Sequence, residues 1–423
     1  MAGIDVISNT TGQAIKDAIF RVAGAVGSSK GAVYGFHVNG AESDPAAMIT
    51  YLQDAVGMTP AGMNYTTGAF DYGSWQDAFF MPRPCMLKSD GTVDYYLNPN
   101  NYALKEDGTA SDIANTSYDG NAMMEWPKIY WKIVPDTDAK SGSVYIASYR
   151  VDSTYHCWSN INNQDKEVDH FYTAIYNGSN IDSKLRSISG QTVCKSQTGS
   201  AEITLAKANN ATSNVLWYTE TYADTLLINL LLMLIGKNMN TQAQFGNGHY
   251  TGGSEATLLT TGTMNDKGLF YGTNGTGVGV KVFGMENWWG NRWRRYAGHV
   301  FVSGVEKIKL TYGTADGSTA TSYNTDGTGY LATGLTAHSG TNGGYISEML
   351  FSEKGISPKT ISGDASRYYC DGTWFNDSAA TYAYRGGACN IGLKVGAFYL
   401  YAIYGVGFAS WGIGAAVSCK PLA

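Results

Sequence analysis

The sequence predicts an α+β protein made mainly of short strands, and three observations predict it. Asp-Gly turns lie between short apolar runs, one apolar stretch is long enough for a buried helix, and 52 glycines in 423 residues punctuate the chain too often for long regular elements. This length suits one core-bearing domain with a smaller appendage. The expected division is an N-terminal helix over 1–30, a small β-rich module over 31–120, and a large domain over 121–423 with Gly/Thr-rich insertions.

Within the first segment, Ile15, Ile19, Val22 and Val26 form one apolar stripe of a helix over 10–26. A helix this short is marginal alone in water, so the stripe must pack on its own domain, on two sister chains or on another protein of the assembly, and one of the last two is expected. In the module, Cys85-Met86-Leu87 and Val93–Leu97 flank Asp90-Gly91, which reads as a hairpin, and Asp107-Gly108 reads as a second turn. A new apolar pattern starts at Met123 and runs to Ile133, then a polar turn over 136–142 leads to a strand over 144–149. Residues 222–239 are apolar nearly all round, the mark of a helix inside a packed domain. Gly and Thr dominate 251–280 and 312–344, where loops or exposed hairpins are expected, and closely spaced strands finish the chain from about Tyr368.

Composition narrows the function. Charged residues are 15%, against a typical ~25%, and the net charge is -6 without a basic cluster beyond Arg292, Arg294 and Arg295. That balance argues against nucleic-acid and anionic-membrane partners. No apolar run approaches the ~20 residues a bilayer span needs, so no membrane insertion is expected. The N-terminus lacks the basic start and apolar core of a secretory signal, which implies synthesis in the cytoplasm. With 30 tyrosines and abundant Gly, Ser and Asn, the surface resembles an antibody paratope, although an aromatic-rich β protein explains the same composition. Six cysteines lie far apart with neither zinc spacing nor a C-x-x-C pair, so free thiols are expected.

Enzyme signatures are sparse. Six histidines are scattered without a His-Glu-x-x-His pattern, and the Gly-rich stretch 245–252 follows a helix, where it reads as a helix-ending turn. Asp136-Thr137-Asp138 before Gly142 offers calcium some carboxylate but lacks a downstream bidentate Glu, so it reads as an ordinary turn and no cofactor is expected.

The most informative stretch is Phe283 to Gly298. Trp288, Trp289 and Trp293 bury large area, Gly290 permits close backbone approach, and Glu286, Asn287 and Asn291 can satisfy backbone groups left open by irregular structure. It resembles the Gly-x-Glu-Asn-x-x-Gly-Asn-x-Trp motif of the formylglycine-generating-enzyme-like branch of C-type-lectin folds, which includes phage tropism determinants. About a hundred residues on, Arg385-Gly386-Gly387, then Gly396-Ala397-Phe398 and Trp411-Gly412 are similar to the ending of that fold in proteins diversified by retroelements. Two departures stand out: Cys389 occupies the usual Trp position, and Gly414-Ala415-Ala416 stands where the family ends in Gly-Phe-Arg. Without an evident partner for Cys389, the oxidative chemistry of the enzymes in that branch is not expected.

The resemblance implies a large C-type-lectin-like domain in a phage tail-fibre or tail-tip receptor-binding protein. Such a protein is a virion tail component, a homotrimer beside other phage tail proteins, and a non-enzymatic adhesin for a bacterial cell-surface receptor, protein or glycan. The receptor face is expected between the fixed pieces, at Ala388, Cys389, Asn390, Ile391, Leu393, Tyr401, Ile403, Tyr404, Val406, Phe408, Ser410 and Gly412. Large apolar side chains among glycines in a loop favour an exposed patch, and a buried core strand is the bland alternative. Two rivals stay open. One is a tail-associated polysaccharide hydrolase recruiting carboxylates such as Asp364 or Glu286, and the other is a purely structural tail or baseplate protein.

Overall fold

The computed structural model describes residues 31–211, 216–336, 343–375 and 380–422. The helix expected over 10–26 lies outside them. What they form is β-rich with few helices, and the strands gather mainly in three sheets.

The first sheet orders Ile49–Gln53, Val33–Val38, Gly142–Ala147 and Tyr130–Pro135. A second, seven-stranded sheet runs from Trp217–Thr219 through Val417–Cys419, His170–Ala174, Gly120–Pro127, Arg83–Lys88 and Val93–Asn98 to Asn101–Lys105. Both sheets cross residue 120, because Val33–Val38 pairs with Gly142–Ala147 and Arg83–Lys88 pairs with Gly120–Pro127. The division expected there is therefore not a boundary of the fold. Strand partners follow the apolar faces they bury, and Phe36, Met86, Met124 and Ile146 share one core.

Local rules held where turns are tight. Arg83–Lys88 and Val93–Asn98 form the expected antiparallel hairpin. At its turn Gly91 has φ of 85°, and the Asp90 carboxylate accepts the Thr92 N–H at 2.9 Å and hydroxyl at 2.6 Å. Asp107-Gly108-Thr109 repeats the device with the same two bonds. The pattern over 123–133 resolves into two strands, Gly120–Pro127 and Tyr130–Pro135, and the following turn is closed by the Asp136 N–H donating to Ser141 O at 3.0 Å.

Helix α1 spans Gly199–Lys207 and helix α2 spans Tyr222–Gly236. Thr221 caps α2 by accepting the Asp224 N–H, and Lys237 ends it in a left-handed conformation. All fifteen residues of α2 are buried, as expected for a helix apolar nearly all round. Asn229, the one amide in that run, is the exception that organises its surroundings. Its Nδ2 donates to Ala397 O at 2.7 Å and its Oδ1 accepts the Trp288 indole N–H at 2.9 Å, which ties the helix to both distinctive motifs.

The third sheet carries the candidate site. Its order is Leu331–Thr336, Val305–Ile308, Trp293–Val302, Thr381–Arg385, Leu400–Ala402, Gly372–Phe375 and Gly344–Tyr345, with Ile413–Ala415 parallel beside Trp293–Val302. All six cysteines are buried free thiols, and no helix among the described residues is long and apolar enough to cross a membrane.

Candidate functional site

The Trp-rich motif supplies the floor. Phe283, Gly284, Asn287, Gly290 and Asn291 all take positive φ, so the chain reverses repeatedly and each reversal needs a partner. Glu286 accepts the N–H groups of Gly262 and Met264, both at 2.8 Å, and Asn291 Oδ1 accepts that of Leu259 at 2.8 Å. These bonds pin the Gly/Thr-rich segment 251–280 to the core. Burial pushes the Glu286 carboxyl up, and Lys281 opposes that rise. Asn287 departs from expectation: its backbone N–H donates to Val280 O, while its side-chain oxygen is buried without a partner.

Both motifs are bonded to one another. Gly290 N–H donates to Gly386 O at 3.0 Å, Cys389 N–H to Asn291 O at 3.1 Å, and Arg385 Nη1 to Trp288 O at 2.8 Å. Gly386 and Gly387 have φ of 81° and 82°, and a Cβ on Gly386 would stand 2.9 Å from Trp288 O. Only glycine fits that approach.

The arginines of this region are interior braces. Arg292, Arg294 and Arg295 are each 1% exposed and Arg385 is 2% exposed. Arg295 meets Glu202 of α1 at 2.7 Å. Arg385 meets Glu220 at 2.6 Å and lies 3.4 Å over the Trp288 ring, while Arg294 stands 3.8 Å from the same carboxylate. Arg292 donates to Ala415 O at 3.1 Å. Guanidinium suits this work because its planar fork bonds and stacks at once. Arg295 reaches further: it also donates to Gln197 O at 3.0 Å and to Phe408 O.

That last bond holds the loop 403–412, which is clamped by its backbone. Val406 O accepts the Gly199 N–H at 2.8 Å, Ser410 O accepts that of Ser196 at 3.0 Å, and Tyr404 O accepts that of Tyr382 at 2.9 Å. Trp293 N–H donates to Gly412 O at 2.9 Å. With the main chain fixed, the side chains face a cleft of about 360 Å³.

Aromatic rings dominate the cleft. Trp293, Trp374, Tyr399, Tyr401, Tyr404, Phe408 and Trp411 line it, with Asn390, Ser410 and Lys394 as polar neighbours. Tyr404 stacks on Phe408 at 3.7 Å between centroids, and Tyr401 packs 4.7 Å from Trp293 and 6.0 Å from Trp374. Burial pushes the Tyr401 hydroxyl pKa up, so it stays a neutral donor. The described lining contains no Asp, Glu, His or Cys, and Lys394 is its one formal charge. Such a lining can stack and hydrogen-bond, and its described residues include no carboxylate or imidazole to serve as a general acid or base.

The residues expected at the receptor face divide between the cleft and positions off it. Asn390, Ile391, Tyr401, Tyr404, Phe408, Ser410 and Gly412 line this one cleft. Ala388 and Cys389 do not reach the surface: both are 0% exposed, because they pack where the two motifs join. Leu393 is 41% exposed but stands outside the cleft lining, with its carbonyl accepting from Gln242. Ile403 and Val406 are half-buried off the cleft, and Val406 packs against the cluster of Val300 and Tyr382. Trp293, expected as packing, does both jobs at 5% exposure. Trp374 and Lys394 were missed, for neither sits in a recognisable motif. Trp374 arrives only through the parallel pairing of Thr373 with Leu400.

The rival carboxylates are elsewhere engaged. Asp364 is exposed and paired with Arg367 at 3.2 Å, and Glu286 is consumed by backbone N–H groups. In the Asp136–Gly142 turn, Asp136 pairs with His37 at 3.0 Å and Asp138 caps Lys140 N–H. Among the described residues no group of three or more His, Cys, Asp or Glu could hold a metal ion. No protein-family model matches the chain, and no curated protein matches its sequence.

Proposed function

We propose that this chain is a phage-tail receptor-binding protein, an adhesin of C-type-lectin-like fold that holds a bacterial-surface receptor in the cleft of residues 390–413. One observation carries the reading: an aromatic cleft with a hydrogen-bonded backbone, whose described lining has no carboxylate or histidine, in the segment whose motifs resemble the variable face of such proteins. Rigid rings give contact area at low entropic cost, which suits binding. Paired-carboxylate hydrolysis requires two carboxyls about 5–10 Å apart flanking the bond, and this lining offers none. Homotrimer assembly on the virion tail belongs to the same proposal, and light scattering that found a monomer would remove that part.

The test replaces Tyr401, Tyr404 and Phe408 together by Ala. Tyr404 is exposed, and Tyr401 and Phe408 are half-buried against the small cluster of Trp293, Tyr384 and Tyr399 outside the largest core. The variant is therefore expected to fold with an unchanged far-ultraviolet circular dichroism spectrum at some cost in stability and to lose host adsorption at least tenfold. Undiminished adsorption by the folded variant would overturn the reading.

A further inference from the structure

The cleft itself points to a class of ligand. Its volume of about 360 Å³ sits at the small end of ligand pockets, ~300–1,000 Å³, and is concave where a protein interface would spread over ~800 Å² per partner. Space of that size takes one or two sugar rings. A pyranose offers apolar C–H faces to aromatic rings and hydroxyls around its edge, and the cleft offers both counterparts. Tyr404, Phe408 and Trp374 give ring surface, while Asn390, Ser410 and the tyrosine hydroxyls give hydrogen-bonding groups.

Charge refines the class. Lys394 is the one ionic group in the described lining and takes part in no ion pair among the described residues; its ammonium stands 5.7 Å over the Tyr345 ring. The rest of the described lining is neutral; Asp371 and Asp364, which act on the same Tyr345 ring, lie outside that lining, and burial raises the Asp371 carboxyl well above its ordinary range. Within the described lining a cationic ligand would meet Lys394 with no carboxylate to offset it, and an anionic one would gain a partner that no described ion pair takes.

Resting on the reading of this cleft as the receptor site, we infer that it binds a one- or two-ring segment of a surface polysaccharide bearing an anionic substituent, with the rings stacking on the sugar and Lys394 pairing with its carboxylate or phosphate. The two anionic groups share one chemistry here.

The experiment measures binding of the full-length protein to cells of a strain it adsorbs to, with soluble polysaccharide extracted from that strain as competitor. Periodate, which cleaves vicinal diols, should abolish binding, and proteinase treatment of the cells should leave it intact. Lys394→Gln should weaken binding about tenfold and flatten its salt dependence, while Lys394→Arg keeps both. Treating the competitor polysaccharide with aqueous hydrofluoric acid, which removes phosphate mono- and diesters, separates the sources: lost competition assigns a phosphate and retained competition a carboxylate. Binding that survives periodate but not proteinase overturns the sugar while leaving a protein receptor in the same cleft. An unchanged Lys394→Gln overturns the anionic part. Cell binding by the Tyr401, Tyr404 and Phe408 triple variant at the wild-type level would instead remove the receptor reading beneath both.

Discussion

Arg295 joins the stability of the domain to the shape of the cleft, and Arg295→Met separates the two. Methionine keeps most of the apolar stem and deletes the guanidinium. Lost with it are the 2.7 Å bond to Glu202, the 3.0 Å bond to Gln197 O and the bond to Phe408 O. Both partners of the ion pair are 1% exposed, so the variant strands a buried carboxylate. Breaking one side of a buried pair costs about 3–5 kcal/mol. Burial already raises the Glu202 carboxyl in the intact protein and Arg295 holds it down, so without Arg295 it rises further. A raised carboxyl contributes stability that is present below its unfolded pKa and lost as pH rises through the folded one. The deficit should therefore be largest at pH 8 and shrink towards pH 5. Urea unfolding across that range reads it, and Arg295→Met with Glu202→Met should recover most of the loss. Hydrogen exchange reads the second consequence: the amides of Ser196, Gly199 and Phe408, which bond within or onto the loop, should exchange faster in both variants. A loss under about 1 kcal/mol at pH 8, or unchanged exchange at Gly199 and Phe408, would refute the bracing argument.

Two further predictions concern single buried groups. Burial raises the Asp371 carboxyl well above its ordinary range, with one oxygen accepting the Phe398 N–H at 2.8 Å and the other unpartnered. The stability that protonated group gives is lost as pH rises, so Asp371→Asn should match or exceed the parent at pH 8 and show a flatter pH dependence in thermal melts. His156, stacked on Trp158 at 4.3 Å, has its pKa lowered by burial and then by Arg150 and Lys354. Its contribution is present above about pH 6.5 and lost as pH falls through the folded value, so His156→Phe should flatten the acid side of the stability profile; an identical slope in the variant would contradict the assignment.

Short-range structure was legible because its causes are short-range. Asp90-Gly91 and Asp107-Gly108 carry their turn in four residues, and α2 shows its burial in its own composition. The Arg385-Gly386-Gly387 and Trp-rich segments likewise marked where the chain would pack most tightly. Long-range pairing left no such trace. Nothing near Val33 names Gly142–Ala147 as its partner, and so the module drawn over 31–120 dissolved into shared sheets. The arginine run illustrates the same limit: its acidic partners Glu202 and Glu220 lie on other elements, so the run could not name them. At the cleft, the run of large apolar residues among glycines suggested an exposed patch, yet of Tyr401, Tyr404 and Phe408 only Tyr404 is exposed, the other two being half-buried against the Trp293 cluster. It could not tell that Ile403 and Val406 lean away from the cleft, or that Trp374 would cross from another strand to meet Tyr401.

The central claim is that one cleft takes the receptor, and covalent footprinting of the full-length protein on host cells tests it most directly. Hydroxyl-radical labelling should fall on binding at Trp374, Tyr404, Phe408 and Trp411, and stay unchanged at Val134 and Trp158, which line a separate depression. Protection at Val134 and Trp158 with unaltered labelling of Tyr404 and Trp411 would contradict it.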